Sequence, residues 1–232
     1  MQVLPIASGK GGVGKSLFAT NIAIALAQTG KNVILADLDL GASNLHLILG
    51  IGSIKDGIGS FLCNPDMDFK DIIFDTEYKN LKFIPGDGEI PGMANLDTTQ
   101  KTRLVRELYI QEADYLILDL GAGTSFNTVD FFLSSSIGVI VTAPALTATL
   151  NAYLFLKNVV FRLMSTSFKK DSWAGKYYED LKQEGKNFQK IYIPKLIEKV
   201  RIEDPESYDT FMKRMTVFLC GINKRHKNIK SC

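Results

Sequence analysis

The chain has 232 residues, enough for one sizeable α/β domain or two small ones. Its 46% hydrophobic and 22% charged residues are globular averages, which excludes disorder over most of the length, and no uncharged apolar run reaches the roughly 18 residues of a membrane helix. The net charge of +2 conceals a split, with residues 1–150 at −6 and residues 151–232 at +8. Cys63, Cys220 and Cys232 are too few and too scattered for a disulfide framework and suit a reducing compartment. Residues 1–8 lack the basic start of a signal peptide, so a cytoplasmic protein is expected.

In chain order, residues 3–7 form a short apolar run that predicts a buried strand. Directly after it comes Ser8-Gly9-Lys10-Gly11-Gly12-Val13-Gly14-Lys15-Ser16, in which Gly9, Gly14, Lys15 and Ser16 satisfy the phosphate-loop pattern G-x-x-x-x-G-K-[ST]. Glycines let the backbone curl so that successive N–H groups point into one concavity, a nest for phosphate oxygens. A helix predicted over 15–29 leaves the loop and adds the partial positive charge of its N-terminus to the same place. Gly9, Lys10, Gly11, Gly12, Val13, Gly14, Lys15, Ser16 and Leu17 form the expected nucleotide-binding set, Leu17 through its backbone N–H. Lys15 is expected to reach the β- and γ-phosphates, and the Ser16 hydroxyl to ligate Mg²⁺. The helix has Leu17, Ile22, Ala25, Leu26 and Thr29 near helical spacing, with Gly30 where a C-terminal cap belongs.

A strand at 32–37 runs into Asp37-Leu38-Asp39, two carboxylates at a strand end, where ligands collect in a doubly wound sheet. Read alone, the pair is no more than an acidic strand end or a turn cap. A strand at 81–85 and a helix at 98–112 follow. The apolar strand 115–119 ends in Asp119, the pattern that carries a buried strand's carboxylate to a Mg²⁺ site through a bound water. A strand at 137–142, a helix at 147–164 and a last strand at 216–222 complete the alternation. The polar stretch 165–206 reads as an insertion or lid-like excursion rather than a second core. Near-continuously apolar strands alternating with helices imply right-handed crossovers. They predict an α/β fold: a doubly wound, mostly parallel sheet with helices on both faces. The chain is expected to be a single P-loop domain over 1–232, with 165–210 as a helical insertion or variable partner-facing region.

Lys10 followed by Gly11-Gly12 makes the loop resemble the deviant Walker A motif of the MinD/ParA family of P-loop ATPases. The stretch 92–96 and the run from Asp119 to Asn127 are similar to its MinD and flagellar-number (FlhG-like) members in particular. The resemblance implies ATP and Mg²⁺ as cofactors and an ATP-dependent homodimer. In that dimer each Lys10 would reach across the two-fold axis to the partner's phosphates, which makes Lys10 catalytic beside Lys15 and Asp39. It also implies that Asp37 helps organise Mg²⁺ with Ser16 and Asp119, and that Asp39 orients the attacking water. Asn44 would lie near the dimer interface, and Gly121 and Gly123 would form a switch sensing the γ-phosphate. Proteins of this kind often hold the base with an amide at the end of the last strand, which points to Asn223; a plain turn asparagine is the equal alternative.

Pro144-Ala145-Leu146-Thr147 departs from the Pro-Glu-Pro-Thr usual in flagellar-number members, whereas Asn151-Ala152-Tyr153 matches, and Leu17 stands where threonine is common. The resemblance spans residues 1–160, touches 215–225 and hardly includes 165–210. No arginine adjoins the motifs, so slow hydrolysis stimulated by an unidentified protein partner is expected. The tail after Asn223 is too short for the amphipathic helix of membrane-cycling members, so the chain is expected either to be cut short or to lack membrane targeting.

Iron–sulfur carriers need paired cysteines, which this chain does not offer, and Cys63 reads as a small apolar residue near a helix end. Amidating ligases resembling cobyrinate diamide synthase need a further substrate domain. Two readings remain. One is a switch that controls the position or number of a cellular structure through protein partners. The other is a partition ATPase whose ATP-bound dimer binds DNA non-specifically through the +8 part. Lys169, Lys170, Lys176, Lys182, Lys186 and Lys190 are interleaved with Asp171, Glu179, Asp180 and Glu184, as on a solvated helical face, which favours the switch.

Overall fold

The computed structural model describes residues 1–41, 43–52, 54–86, 95–183 and 191–215. The strand expected at 216–222, Asn223, Cys220, Cys232 and residues 92–94 lie outside them. The chain divides into two compact units, Met1–Phe155 and Leu156–Cys232.

The first unit is built on a six-stranded sheet of β1 (Gln2–Ala7), β2 (Val33–Leu38), β3 (Phe74–Asp75), β4 (Leu81–Ile84), β5 (Tyr115–Leu120) and β6 (Val139–Ile140). Its order is β3-β4-β2-β5-β1-β6, parallel throughout except for the antiparallel edge β3. A parallel strand covered on both faces needs apolar side chains at nearly every position, and β2 is buried along its whole length. One alternating set, including Leu4, Ile6, Leu35, Phe83 and Ile117, packs with Ala19, Ala23 and Ala27 of α1 (Lys15–Gln28). The opposite set, Val3, Ile34, Leu116 and Leu118, is buried as well, and α5 (Phe126–Phe132) packs on β1 and β5.

The buried face of α1 is therefore an alanine stripe, and Leu17 is 57% exposed. Small side chains at every fourth position let the helix lie close to the sheet, which the larger residues on its other faces would prevent. The helix ends as expected at Gly30, whose φ of 84° allows Gly30 N–H and Lys31 N–H to reach back to Ala27 O and Leu26 O at 2.9 and 3.4 Å.

Pro5 lies inside β1, between two neighbouring strands, yet no ladder bond is lost. Val3 O accepts from Ser135 Oγ at 2.8 Å and Ala7 O from Val141 N–H at 2.8 Å, so alternate residues of β1 present their backbone groups toward β6. Pro5 shares that direction, and β6 pairs with β1 only from Ile6 onward. β6 is shorter than the 137–142 run suggests, because only two of its residues find a partner in β1. The two-residue edge β3 has no periodicity to betray it. Around the sheet lie α2 (Leu45–Ile48), α3 (Ile58–Cys63) and α4 (Thr98–Tyr109), and α6 (Leu146–Ser167) contains the boundary between the units.

The second unit comprises the end of α6, α7 (Trp173–Gln183), α8 (Ile193–Glu203) and helical residues 205–215. Phe161, Phe168, Tyr178, Leu196, Val200 and Phe211 are buried, so this stretch has a small core of its own. Asp204 ties its helices by accepting from Ala174 N–H and Ser207 N–H, each at 3.0 Å. These apolar residues are spread at helical spacing among lysines, and the polar average of the sequence hides them.

Candidate functional site

β1, β2 and β5 end together. Ile6 is in register with Asp119, and Asp119 with Asp37, so the two carboxylates stand side by side at the C-terminal ends of adjacent strands. They follow Ile117 and Leu35 by two residues and so share the face covered by α1. Beyond Ala7 the chain turns through residues 8–14, where Gly12 and Gly14 take φ of 78° and 91°, and α1 starts at Lys15. Gly9 has a different reason to be glycine. A Cβ there would run into the backbone oxygen of Asn151 in α6.

Lys15, 7% exposed, donates to Asp119 Oδ1 at 2.7 Å and to Ser16 Oγ at 3.3 Å. Burial pushes the Asp119 carboxyl above its ordinary range, and Lys15 offsets part of that rise. Asp37, 1% exposed, is pushed up to about 6 by burial and by the neighbouring Asp119. Against this it accepts from Ser43 Oγ at 2.8 Å, Asp39 N–H at 3.0 Å and Leu45 N–H at 3.2 Å. Its carboxylate thereby clamps the loop after β2 and satisfies the first residue of α2, whose N-cap Asn44 makes no capping side-chain bond. Two buried carboxylates served by one buried lysine leave surplus negative charge, which a hard divalent cation with oxygen ligands would relieve.

Asp39 is half-buried, and its Oδ1 lies 3.2 Å from where a Cβ of Gly121 would stand. Gly121 thus leaves room for this carboxylate. Gly123, with φ of 91°, donates its N–H to Ser8 O at 2.9 Å, fastening the turn after β5 to the root of the glycine-rich loop. Lys10 is exposed, and its Nζ donates to Thr147 Oγ1 at 3.2 Å within the chain. The fold therefore gathers Lys15, Ser16, Asp37, Asp39 and Asp119 at one end of the sheet beside the loop that carries Lys10. Ser43, Gly86 and Asn151 also shape the site, Asn151 from the stretch that matches the flagellar-number pattern but in a packing role which that match does not state; a Cβ at Gly86 would lie 2.8 Å from Asp37 O. Gly86 and Asn151 act by an approach from a distant part of the chain, and Ser43 by the return of the loop after β2 to Asp37.

A nucleoside triphosphate with Mg²⁺ fits these residues. The oxygen donors Ser16, Asp37 and Asp119 suit a hard cation, and the loop's positive-φ glycines suit phosphate oxygens. Among the described residues no group of three or more His, Cys, Asp or Glu is arranged to hold a metal ion. Cys63 is exposed and lies at the end of α3, the helix-end position expected of it. A cavity of about 510 Å³ lies at the opposite end of the sheet, lined by Asn32, Asp75, Lys79, Lys82 and Glu112 among others, and includes none of these groups. Among the described residues no helix is long and apolar enough to cross a membrane.

The family model described as the CobQ/CobB/MinD/ParA nucleotide binding domain matches residues 4–203. The flagellum site-determining protein YlxH of Helicobacter pylori is 35% identical over 162 residues, which cover 67% of this chain and 53% of that protein. The chain thus spans about half the length of the curated relatives it matches. The structure of the septum site-determining protein MinD complexed with Mg-ADP from Pyrococcus horikoshii aligns with a TM-score of 0.59 at 26% identity, covering 67% of this chain and 65% of that one. The MinC:MinD cell division protein complex of Aquifex aeolicus aligns with a TM-score of 0.58 at 28% identity, covering 72% and 64%.

Proposed function

Because the chain belongs to the CobQ/CobB/MinD/ParA nucleotide-binding family, we propose that it is a dimerising switch ATPase of the MinD/ParA type that positions or counts a cellular structure through protein partners. The observation that carries this reading is the buried Lys15–Asp119 pair at 2.7 Å, in register with Asp37 and directly under the glycine-rich loop. A lysine held against a carboxylate at that place is poised to exchange it for phosphate oxygens. The Mg-ADP bound to the Pyrococcus horikoshii relative supports nucleotide and magnesium as ligands, and the partnership of MinD with MinC in Aquifex aeolicus supports a protein partner.

In this reading the loop amides and Lys15 would cradle the phosphates, and Ser16, Asp37 and Asp119 would hold the cation. Magnesium, when bound with the nucleotide, supplies charge neutralisation of the β- and γ-phosphates. Asp39 aligns a water against the γ-phosphate, and Gly121 keeps the space its carboxylate needs. Lys10 is exposed and hydrogen-bonded to Thr147, a bond that costs little to break, so it can reach the phosphates of a second copy. Loss of the γ-phosphate releases the turn at Gly121–Gly123, and the dimer relaxes. With no arginine beside the motifs, turnover is slow until a partner supplies one or closes the site. In the second unit Lys169 pairs with Glu206, Lys182 with Glu179 and Arg201 with Glu198, which supports a solvated face and weighs against DNA as the partner.

Light scattering after size exclusion, with ATP and magnesium, tests the reading. Wild type and Asp39→Ala are expected to run as dimers, Asp39→Ala with turnover reduced at least about a hundredfold, and Lys10→Ala as a monomer. A Lys10→Ala dimer would remove the trans role of Lys10, and a monomeric Asp39→Ala would make Asp39 structural.

A further inference from the structure

Among the described residues, one buried side-chain polar atom has no hydrogen-bond partner: the Oγ of Ser8, in a residue that is 0% exposed. A hydroxyl withdrawn from water without replacement disfavours the geometry that holds it, and an alanine would serve that geometry better. The position is telling. Ser8 follows Ile6 by two residues and continues the alternation that puts Ile6 on the α1 face, and Ile6 is in register with Asp119. Ser8 therefore stands at the root of the glycine-rich loop, one step beyond the Lys15–Asp119 pair. Its backbone is fixed on both sides. Ser8 O accepts from Gly123 N–H at 2.9 Å, and the next residue, Gly9, abuts the Asn151 backbone with no room for a Cβ. Only the hydroxyl rotor remains free, and it can donate or accept.

We infer that Ser8 is a positioning residue whose hydroxyl bonds to the backbone of the phosphate loop once phosphates draw that loop together, so that it opposes the nucleotide-free geometry and supports the loaded one. The inference rests on the nucleotide-binding reading above. It gives Ser8 opposite effects on the two states, whereas a merely structural serine stabilises both. The coupling is local: phosphate oxygens that draw Lys15 from Asp119 rearrange the groups next to Ser8.

The test uses the full chain with Ser8→Ala and Ser8→Cys, the latter keeping an atom at the γ position, though a larger one, with a much weaker hydrogen-bonding group. Without nucleotide, both variants are expected to raise the thermal midpoint by about 2–4 °C. Both are also expected to weaken binding of a fluorescent ATP analogue with magnesium by about tenfold, the effect of one hydrogen bond gained only in the loaded state. A nucleotide-free midpoint that is unchanged or lowered overturns the inference, since the hydroxyl then has a partner such as a buried water. Binding by both variants as tight as wild type overturns this inference alone. Failure of the wild type to bind the analogue overturns the nucleotide reading, and this inference with it.

Discussion

Asp37 shows how one carboxylate can serve opposite purposes. It is 1% exposed and is held by Ser43 and two backbone amides. Burial dominates, lifting its pKa from an ordinary 3.8 to about 6. The fold thus favours the protonated form. Its stabilising effect is complete below about pH 4 and is lost as the pH rises through about 6. Asp37→Asn removes this titration, so the midpoint difference between variant and wild type is expected to grow in the variant's favour from pH 4 to pH 7. A difference independent of pH would mean that the Asp37 carboxyl titrates normally. At this scale Lys15, Ser16 and Asp119 are legible in the sequence because each belongs to a contiguous motif with one chemical purpose. The clamp that Asp37 forms with Ser43 and Leu45 is not legible, because it depends on where the loop after β2 happens to return.

Elements meet at this site by close approach of backbone, and the glycines divide accordingly. Gly12 and Gly14 are needed for their positive φ, Gly9 because α6 passes against it, and Gly11 for neither reason: nothing lies within 4 Å of its missing Cβ. Gly9→Ala is expected to lose about 2–3 kcal/mol, since backbone rather than a flexible side chain must give way, whereas Gly11→Ala should stay within about 0.5 kcal/mol of wild type. Denaturant unfolding of both variants distinguishes them; equal losses would mean that the loop, not the helix contact, requires Gly9. The phosphate-loop pattern marks Gly9 without stating its reason. Likewise the helical spacing predicts α1 but not the buried side of it, because the alanine stripe of Ala19, Ala23 and Ala27 is less apolar to the eye than Leu17 or Ile22.

Across the whole molecule the charge divides much as the units do, with the acidic groups of the site in Met1–Phe155 and the +8 excess in the part after residue 150. Ion pairs along α7, α8 and the following helix use up several of those cations locally. Filter binding of the ATP-loaded protein to random duplex DNA at two salt concentrations is therefore expected to show no nucleotide-dependent retention. Retention that falls steeply with salt, as counterion release requires, would instead favour the partition reading.

The alternation of apolar strands with helices pointed to a mostly parallel sheet, because burial on two faces demands continuous apolar runs and parallel strands need helical crossovers between them. The glycine-rich loop and Asp119 were legible for a similar reason: phosphate and metal chemistry constrain residue type at short, fixed spacing. What waited on the tertiary structure were the relations between distant residues: the register that sets Asp37 beside Asp119, the approach of Asn151 to Gly9, and the unpartnered hydroxyl of Ser8. Those depend on how separate segments pack, and packing distance leaves no trace in the local order of residues.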